Sequence, residues 1–312
     1  MTKKNLFIIV AILVFLIALG GYFFVSAKKN YTFGPYSQAP EILVSDNSFI
    51  FKYKGADGEY VNANEKVYGP YSEIKINSIS NKTIGFSYKD INSQWWLNVN
   101  GEISGPYNQV EYLSLSDNGV GFAYLRDGQW YVNIKNKSYG PYGRVFGVAI
   151  SNDSFIFAYN KNGDNYLMVN DSEDGPFEKI DSVSISGAKA SFVYNNSGEK
   201  YVNFAGKIYG PFSTYSTIFL FNNGFLIWFL DGGNLYVNLN DMILGPYEAV
   251  NIFENSQIAA FYARIKGTGY ISTATKIYGP YDYEFLSGSA SKGKIGFSYQ
   301  DGNGWYVKIE PY

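Results

Sequence analysis

Apolar and polar residues alternate along most of the chain in short runs that are typical of half-buried β-strands. In the segment GPYNQVEYLSLSDNGVGFAYLRDGQWYVNIKNKSY, which begins at Gly105, an F-x-Y block places Phe122 and Tyr124 on one face of a strand, because successive side chains point to opposite faces. Polar pairs such as Asp127-Gly128 separate the runs and fit tight hairpin turns. After residue 29 no window predicts an amphipathic helix. The pattern therefore predicts an all-β protein.

This strand pattern recurs with a period of about 35 residues, and every copy contains Gly-Pro followed by an aromatic residue. Between successive triplets the chain carries four blocks in a fixed order: an apolar stretch ending near Ser, an F-x-Y block, a Y-V-N block and a K-x-Y element. Because proline lacks the N–H that a central strand needs, we interpret Gly-Pro as the passage from one unit to the next. The repeats start at Gly34, Gly69, Gly105, Gly140, Gly175, Gly210, Gly245 and Gly279.

Each unit holds three or four antiparallel strands, which fits either a closed β-propeller or an open β array. Residues 28–36, KKNYTFGPY, resemble the end of a repeat although no repeat precedes them, and the chain stops soon after the last Y-V-N-like strand. A ring would use the spare first strand to complete the last unit, whereas an open array would expose two edges. We therefore predict an eight-bladed propeller spanning 28–312. Seven blades with one degenerate unit, or an unclosed array, are the alternatives.

The N-terminus predicts a membrane segment. Leu6 to Val25 is an uncharged, almost wholly apolar stretch of 20 residues, long enough to cross the hydrocarbon core as a helix. We interpret residues 1–5 as a short cytoplasmic tail and 6–27 as a single transmembrane anchor. A cleaved signal peptide is the alternative, since Val25-Ser26-Ala27 resembles a cleavage site. Both interpretations place the repeat domain outside the cytoplasm. The opposite orientation is a further alternative, because two lysines flank the segment on each side.

Composition narrows the classes of function. The chain has no Cys and no His, which excludes disulfides, thiolate metal sites, a Cys nucleophile and the Ser-His-Asp triad. Four lysines and no acid occur in the first 29 residues, so the rest of the chain carries 21 basic and 27 acidic side chains. A mildly acidic body argues against nucleic acid as a partner, because phosphate binding needs a basic face. Aromatic residues make up 19% of the chain and allow a large core.

The period, the hairpin rhythm and the aromatic strands from about Tyr31 to Tyr312 resemble the bacterial WD40-like and TolB-like β-propeller repeats. The resemblance is one of architecture. The Trp-Asp ending and Gly-His start of WD40 repeats are missing, as is the tryptophan-glycine signature of WG-type repeats. The resemblance implies a propeller fold, and no functional residue can be carried over from it.

Positions where one repeat departs from the others are the better candidates for a ligand or partner site, since the common packing does not require them. Trp95 and Trp96 are adjacent, so strand alternation should point one of them outward, and we select Trp95. Repeat six carries an apolar run that includes Phe221 and Trp228, which predicts either an exposed interaction patch or an oversized core. Most of the 30 tyrosines occupy repeated positions and are explained by the fold.

Repeat four replaces K-x-Y with an acidic strand. Asp171, Glu173 and Asp174 supply carboxylate oxygens, which are the ligands that Ca²⁺ prefers. These residues are the candidate metal site, although two solvated turns on an acidic surface would give the same pattern. No other cofactor is expected.

These observations favour a membrane-anchored, extracytoplasmic propeller that binds an envelope protein or a surface glycan, or that scaffolds an envelope complex. No catalytic set of residues emerges. The alternative is a propeller hydrolase or lyase that acts on envelope polysaccharide, because glycoside cleavage needs only two carboxylates. That alternative predicts a cluster of ionisable residues at one end of the central channel.

Overall fold

A computed structural model of the chain describes residues 31–212, 217–221, 224–231, 234–240, 242–253, 258–273, 276–281, 285–291, 294–301 and 304–311. The regular elements of these ranges are all β-strands. No helix in the described part is long and apolar enough to cross a membrane. The predicted tail at 1–5 and the predicted anchor at 6–27 lie outside the described residues.

The strands form eight antiparallel four-stranded sheets, the blades, in which strands follow one another in chain order. We label the four strands of each blade A to D from the central channel to the rim. Blade 1 contains β2 Glu41–Val44, β3 Phe49–Lys54, β4 Glu59–Ala63 and β5 Lys66–Tyr71, and blade 2 contains β6 Glu73–Lys75, β7 Gly85–Lys89, β8 Trp95–Val99 and β9 Glu102–Tyr107. Blade 3 contains β10 Gln109–Ser116, β11 Gly119–Arg126, β12 Gln129–Ile134 and β13 Lys137–Tyr142. Blade 4 contains β14 Arg144–Ile150, β15 Phe155–Lys161, β16 Asp164–Val169 and β17 Ser172–Phe177.

The second half of the ring repeats this arrangement. Blade 5 contains β18 Lys179–Ser186, β19 Lys189–Asn196, β20 Glu199–Phe204 and β21 Lys207–Phe212. Blade 6 contains β22 Thr217–Phe221, β23 Gly224–Asp231, β24 Asn234–Leu239 and β25 Met242–Tyr247. Blade 7 contains β26 Ala249–Ile252, β27 Ala260–Ile265, β28 Thr268–Thr273 and β29 Ile277–Tyr281. Blade 8 takes strands A to C from the C-terminus, β30 Phe285–Ala290, β31 Lys294–Asp301 and β32 Gly304–Pro311, and strand D from the N-terminus, β1 Tyr31–Tyr36.

Closure of the ring joins the two ends of the chain. Strand β1 pairs antiparallel with β32, with Tyr31 opposite Ile309 and Tyr36 opposite Trp305. The spare first strand therefore completes the last blade, as the matched sequence fragments predicted. The predicted eight-bladed propeller is confirmed, and the seven-bladed and open alternatives are not what the chain forms.

The hydrophobic core lies between the blades. The described residues form eight apolar clusters, one at each interface between neighbouring blades. Between blades 3 and 4, Ala123 and Val132 of blade 3 pack against Phe157 and Tyr159 of blade 4. The two aromatics of F-x-Y thus contact the preceding blade, and the small residue between them contacts the following one. Period-two alternation explains both contacts, because opposite faces of each sheet are buried.

The Gly-Pro-aromatic triplet lies in strand D, at the rim of each blade. It therefore forms the end of a blade, although the repeats in the sequence were counted from its glycine. Gly140 and Pro141 together oppose the single residue Tyr131, which is a β-bulge. Proline is tolerated here because strand D is an edge strand. The aromatic residue after the proline packs against the next blade, as Tyr142 does against Tyr159, with 4.1 Å between the ring centroids. All eight Gly-Pro bonds are cis.

Two further repeated blocks have local structural roles. The asparagine of Y-V-N accepts a hydrogen bond from the C–D turn, as Asn62 Oδ1 does from the backbone N–H of Glu65 at 2.9 Å. The asparagine therefore stabilises the neighbouring hairpin. In K-x-Y the lysine ammonium lies over the tyrosine ring two residues later, as in Lys66 and Tyr68 at 4.8 Å. Residues two apart in a strand share a face, so the pair forms a cation–π contact.

Candidate functional site

The central channel contains a cavity of about 360 Å³. Strands A of neighbouring blades and the turns that follow them form its wall, because strand A is the innermost strand of each blade. Its lining residues are 77–81, 114–117, 149–152, 183–187 and Leu220. Hydroxyl and amide groups dominate this lining, since Ser occupies alternate positions of strand A in several blades. The cavity is therefore polar and almost uncharged.

Many of these serines connect neighbouring blades. Ser78 Oγ accepts a hydrogen bond from the backbone N–H of Leu115 at 2.9 Å, and Ser114 Oγ accepts one from Ile150 at 3.1 Å. Strand A is the inner edge of each blade, so the backbone N–H groups that point away from strand B have no partner strand. Serine hydroxyls of the preceding blade accept hydrogen bonds from these groups. Ser78 and Ser114, each two residues before the Ser that ends the apolar stretch, thus link neighbouring blades around the channel.

Among the described residues that line this cavity, Asp117 is the single carboxylate. Its Oδ1 accepts a hydrogen bond from the backbone N–H of Lys82 in the preceding blade at 3.1 Å. Glycoside hydrolysis by general acid and base needs two carboxylates that flank the scissile bond. The cavity lining does not supply that pair, and so it lends no support to the hydrolase or lyase alternative.

Two of the aromatic candidates are buried. Trp95 is 5% exposed and belongs to the cluster between blades 2 and 3, where the ammonium of Lys75 lies 4.5 Å from its ring. Phe221 is 2% exposed and packs between blades 6 and 7. It also borders a cavity of about 250 Å³ beside blade 5. Neither side chain presents a free aromatic face on the protein surface.

Trp228 differs from these two, because 39% of it is exposed. It occupies the x position of the F-x-Y block in blade 6, since the following Phe229 pairs with Tyr236 as the F-x-Y tyrosines pair elsewhere. The corresponding residues of blades 3, 4 and 5 are small and buried: Ala123, Ala158 and Val193. Trp228 is thus more exposed than its counterparts in these blades and than Tyr262, which is 5% exposed at the same position of blade 7.

The acidic strand of blade 4 is engaged by basic and phenolic groups. Asp171 Oδ1 lies 2.8 Å from Lys137 Nζ, and this contact holds the pKa of the carboxyl below its usual value. The hydroxyl of Tyr159 donates to Glu173, which likewise lowers the pKa of Glu173. Asp174 is exposed on the same strand. Within the described ranges, no three acidic side chains gather closely enough to hold a metal ion. Calcium binding stays a prediction.

Grooves between blades on the face that carries the B–C turns were not predicted from the sequence. The groove between blades 1 and 2 has a volume of about 560 Å³ and is lined by Pro70, Tyr71, Tyr88 and several acidic residues, with Ile91 95% exposed beside it. Burial raises the pKa of Tyr71, so its hydroxyl stays protonated. A smaller groove lies at the equivalent place between blades 2 and 3, where Pro106 and Tyr107 form the wall.

Blade 5 holds a charged group on this same face that the sequence did not single out. Asp181 Oδ2 lies 3.1 Å from Lys200 Nζ, and Oδ1 lies 2.6 Å from Lys179 Nζ. Burial alone would raise the pKa of Asp181, but its contacts with the two ammonium groups outweigh burial and hold the pKa below its usual value. The carboxylate therefore stays ionised and paired.

The fold and the channel together define an eight-bladed, WD40-like β-propeller whose last blade is completed by the first strand. No family model and no curated protein matches the chain.

Solved structures that resemble this chain include propeller domains. One is the β-propeller domain of the Trilobed protease from Pyrococcus furiosus, with 9% identity, a TM-score of 0.48, and coverage of 88% of this chain and 97% of that chain. An uncharacterized protein from Listeria monocytogenes has 13% identity and a TM-score of 0.48, with coverage of 81% and 97%. The CRINKLY WD40 ectodomain of an Arabidopsis thaliana receptor kinase has 10% identity and a TM-score of 0.40, with coverage of 86% and 92%.

Proposed function

We propose that the protein is a membrane-anchored, extracytoplasmic propeller that binds an envelope protein or a surface glycan and acts as a scaffold. The observation that carries the binding role is the exposure of Trp228, at 39%, in a position where blades 3 to 5 bury small residues. Common packing does not require a tryptophan there. Tryptophan is enriched at binding hot spots because it offers a large apolar face together with an N–H donor.

The membrane and export parts of the proposal rest on the N-terminal sequence. Leu6 to Val25 is long and apolar enough to span a bilayer, and it would export the propeller whether it is retained or cleaved. Absence of Cys and His from the whole chain removes the commonest nucleophile–base pairs and favours binding over catalysis.

A capture experiment with the full chain tests the binding role. The protein, extracted from membranes in mild detergent, is immobilised and exposed to an envelope protein fraction and to purified envelope polysaccharide. We expect one of these fractions to be retained by the wild-type chain and lost in Trp228→Ala. Trp228→Phe is the matched control, since it keeps an aromatic face and should retain most of the binding. Equal capture by wild type and Trp228→Ala, or no capture at all, would refute the role.

The location is tested separately. Intact mass of the membrane-extracted chain should include residues 1–27, and externally added protease should digest the propeller in cells whose outer barrier has been permeabilised. A mature chain that lacks these residues would favour the signal peptide, and protection from protease would place the propeller in the cytoplasm.

A further inference from the structure

The face of the propeller that carries the B–C turns is irregular at blades 1 and 2. Blade 1 has a B–C turn of four residues, 55–58, and blade 2 has one of five, 90–94. A turn of two residues closes the same hairpin in blades 3, 4, 5 and 7, at 127–128, 162–163, 197–198 and 266–267. The common fold therefore does not require the longer turns. They flank the groove of about 560 Å³ between blades 1 and 2.

Much of the wall of this groove is apolar. Pro70 and Tyr71 form one part of it, and Tyr71 stacks on Tyr88 of the next blade with 4.1 Å between the ring centroids. Ile91, in the longer turn of blade 2, adds an aliphatic side chain that is 95% exposed. An aliphatic side chain next to an apolar groove is surface that a partner protein can remove from water.

The turn that carries Ile91 is fixed by hydrogen bonds. Asp90 Oδ1 accepts from the backbone N–H groups of Asn92 and Gln94, both at 2.9 Å, and Oδ2 accepts from Nε1–H of Trp96 at 2.9 Å. The backbone N–H of Asp90 in turn donates to the carbonyl oxygen of Gln94 at 2.9 Å. A partner that contacts Ile91 thus meets a turn that is already ordered, and binding loses little conformational entropy there.

The groove also carries an excess of acidic side chains. Asp57, Glu59 and Asp90 line it, and Lys54 is the one basic residue among the described lining residues. Glu59 accepts a hydrogen bond from a backbone N–H and Asp57 accepts one from a tyrosine hydroxyl, so neither partner is a cation. Within the described part of the chain, none of the three carboxylates lies in an ion pair. Their charge is therefore available to a basic partner.

The equivalent groove between blades 2 and 3 shows that this charge is not part of the common fold. That groove has a volume of about 160 Å³, and its described lining residues include no acidic side chain. Arg126 takes the place of Asp90 there, since each follows the phenylalanine of its F-x-Y block by four residues. Both the size and the charge of the groove between blades 1 and 2 thus depart from the repeat.

We infer that the groove between blades 1 and 2 binds an extended segment of a partner protein in which a Lys or Arg lies near an aliphatic residue. The basic side chain places its apolar stem along the groove and its charged end at Asp57 and Glu59, while the aliphatic residue packs on Ile91. A single metal ion is not the occupant that the carboxylates suit, because no three acidic side chains of the described ranges converge on one point.

This surface is separate from the one proposed above. Trp228 belongs to blade 6, which is not adjacent to blade 1 or blade 2, so the inference does not depend on the role of Trp228. A neutral polysaccharide offers neither a cation for the carboxylates nor an aliphatic side chain for Ile91. The charge and the apolar surface of the groove therefore favour a basic protein segment over a glycan.

Peptide selection on the full chain tests the inference. A displayed library of short random peptides is selected on the protein in mild detergent, and the enriched peptides are synthesised with a fluorophore. Fluorescence anisotropy then compares the wild type with Asp57→Asn/Ile91→Ser. Asp127→Asn/Ile265→Ser is the matched control, because it removes the same charge and the same side chain elsewhere on the B–C face. All four side chains are exposed, so both variants should fold.

We expect the enriched peptides to carry Lys or Arg near an aliphatic residue and to bind more weakly as salt is raised. Their affinity should fall about tenfold in Asp57→Asn/Ile91→Ser, which loses one exposed ion pair and one aliphatic contact, and should change little in the control. Enrichment of no peptide, enrichment without basic residues, or equal losses in the two variants would overturn the inference.

Two further arms identify a different occupant or a different site. Purified neutral envelope polysaccharide is tested in parallel, and its retention by the wild type but not by Asp57→Asn/Ile91→Ser would overturn the peptide inference in favour of a glycan. Trp228→Ala should keep the peptide affinity of the wild type. Loss of peptide binding in Trp228→Ala, with none in Asp57→Asn/Ile91→Ser, would contradict the groove and support the surface around Trp228 instead.

Discussion

The backbone N–H of Val44 donates a hydrogen bond to Ser289 Oγ at 3.2 Å, across a separation of 245 residues. This contact joins the first blade to the last. Packing at the same seam is close, because a Cβ built on Gly296 would lie 2.6 Å from Val44 Cγ1. The ring is therefore closed both by the pairing of β1 with β32 and by direct contact between strands A of blades 1 and 8.

Removal of β1 should open the ring. Phe33 lies 5.1 Å from Phe51 and Tyr36 lies 4.7 Å from Tyr53, measured between ring centroids, so β1 contributes aromatic packing as well as strand pairing. A chain lacking residues 1–36 should melt at a clearly lower temperature and aggregate through the exposed edge of β32. A chain lacking only residues 1–30 is the control and should melt cooperatively. Calorimetry that finds the two truncated chains equally stable would contradict the closing role of β1.

The glycine of Gly-Pro should not tolerate a side chain. Gly69 has φ of 124°, and a Cβ there would lie 2.7 Å from the carbonyl oxygen of Glu59 and 2.9 Å from the ring of Tyr60. Gly69→Ala should therefore cost more than the roughly 1–3 kcal/mol of an unfavourable backbone conformation alone. Gly101→Ala is the matched control, because Gly101 has φ of 93° and nothing within 4 Å of its Cβ position. Urea unfolding measures both, and equal losses would show that the close contact with Tyr60 is unimportant.

Much of the fold could be predicted from the sequence, because a propeller repeats one local rule. The period, the F-x-Y alternation and the matched fragments at the two ends together specified eight blades and closure. The sequence does not indicate which strand of a repeat lies at the channel and which lies at the rim, because a circular repeat has no natural first strand. The missing N–H of proline excludes Gly-Pro from a central strand, yet only the pairing of Tyr139 and Tyr142 with β12 shows that it forms a bulge at the rim.

The candidate site was predicted less well, for a physical reason. Strand alternation does point Trp95 and Trp96 to opposite faces, but in a propeller both faces of a blade are covered by neighbours. Trp95 packs towards blade 3, and Trp96 packs towards blade 1 while its Nε1–H donates to Asp90 at 2.9 Å. A departure from the repeat therefore signals exposure only where the neighbouring blade leaves the side chain uncovered, as at Trp228, which is 39% exposed.

The asparagine of Y-V-N should contribute measurably to stability. Asn62 is 7% exposed, and its Oδ1 accepts the hydrogen bond from Glu65 that fixes the C–D turn. Loss of the acceptor leaves a backbone N–H without its partner, so Asn62→Ala should lower the free energy of unfolding by about 1–3 kcal/mol. Asn118→Ala, in an exposed A–B turn, should change it by less than about 0.5 kcal/mol. Similar losses for the two variants in urea would argue against the capping role.

Calcium addition tests the acidic strand of blade 4. Asp171 is already bonded to Lys137 and to the hydroxyl of Tyr139, both at 2.8 Å, and Glu173 is bonded to Tyr159. A cation would have to displace these partners, so we expect millimolar Ca²⁺ to leave the melting temperature unchanged. Mg²⁺ at equal ionic strength controls for screening. A rise specific to Ca²⁺ that disappears in Asp171→Asn would instead establish the metal site predicted from the sequence.

Alkaline pH should unfold the protein through the tyrosines that follow Gly-Pro. Burial raises the pKa of Tyr36 to about 12, with a further contribution from Tyr53, and burial likewise raises the pKa of Tyr142 to about 12, from an ordinary value of 10.0. The unfolded chain therefore loses these protons first. Stability from the neutral tyrosines is complete below about pH 10 and is lost as the pH rises towards about 12.

The double variant Tyr36→Phe/Tyr142→Phe isolates this effect. Phe177 and Phe212 occupy the same position in blades 4 and 5, so phenylalanine fits the fold and the variant should match the wild type at pH 8. Because its two rings cannot ionise, it should retain a larger fraction of its pH 8 unfolding free energy at pH 11 than the wild type does. Urea unfolding at both pH values, with tyrosinate absorbance followed in parallel, gives the comparison. An identical fractional loss in both proteins would mean that these two buried hydroxyls do not control the alkaline transition.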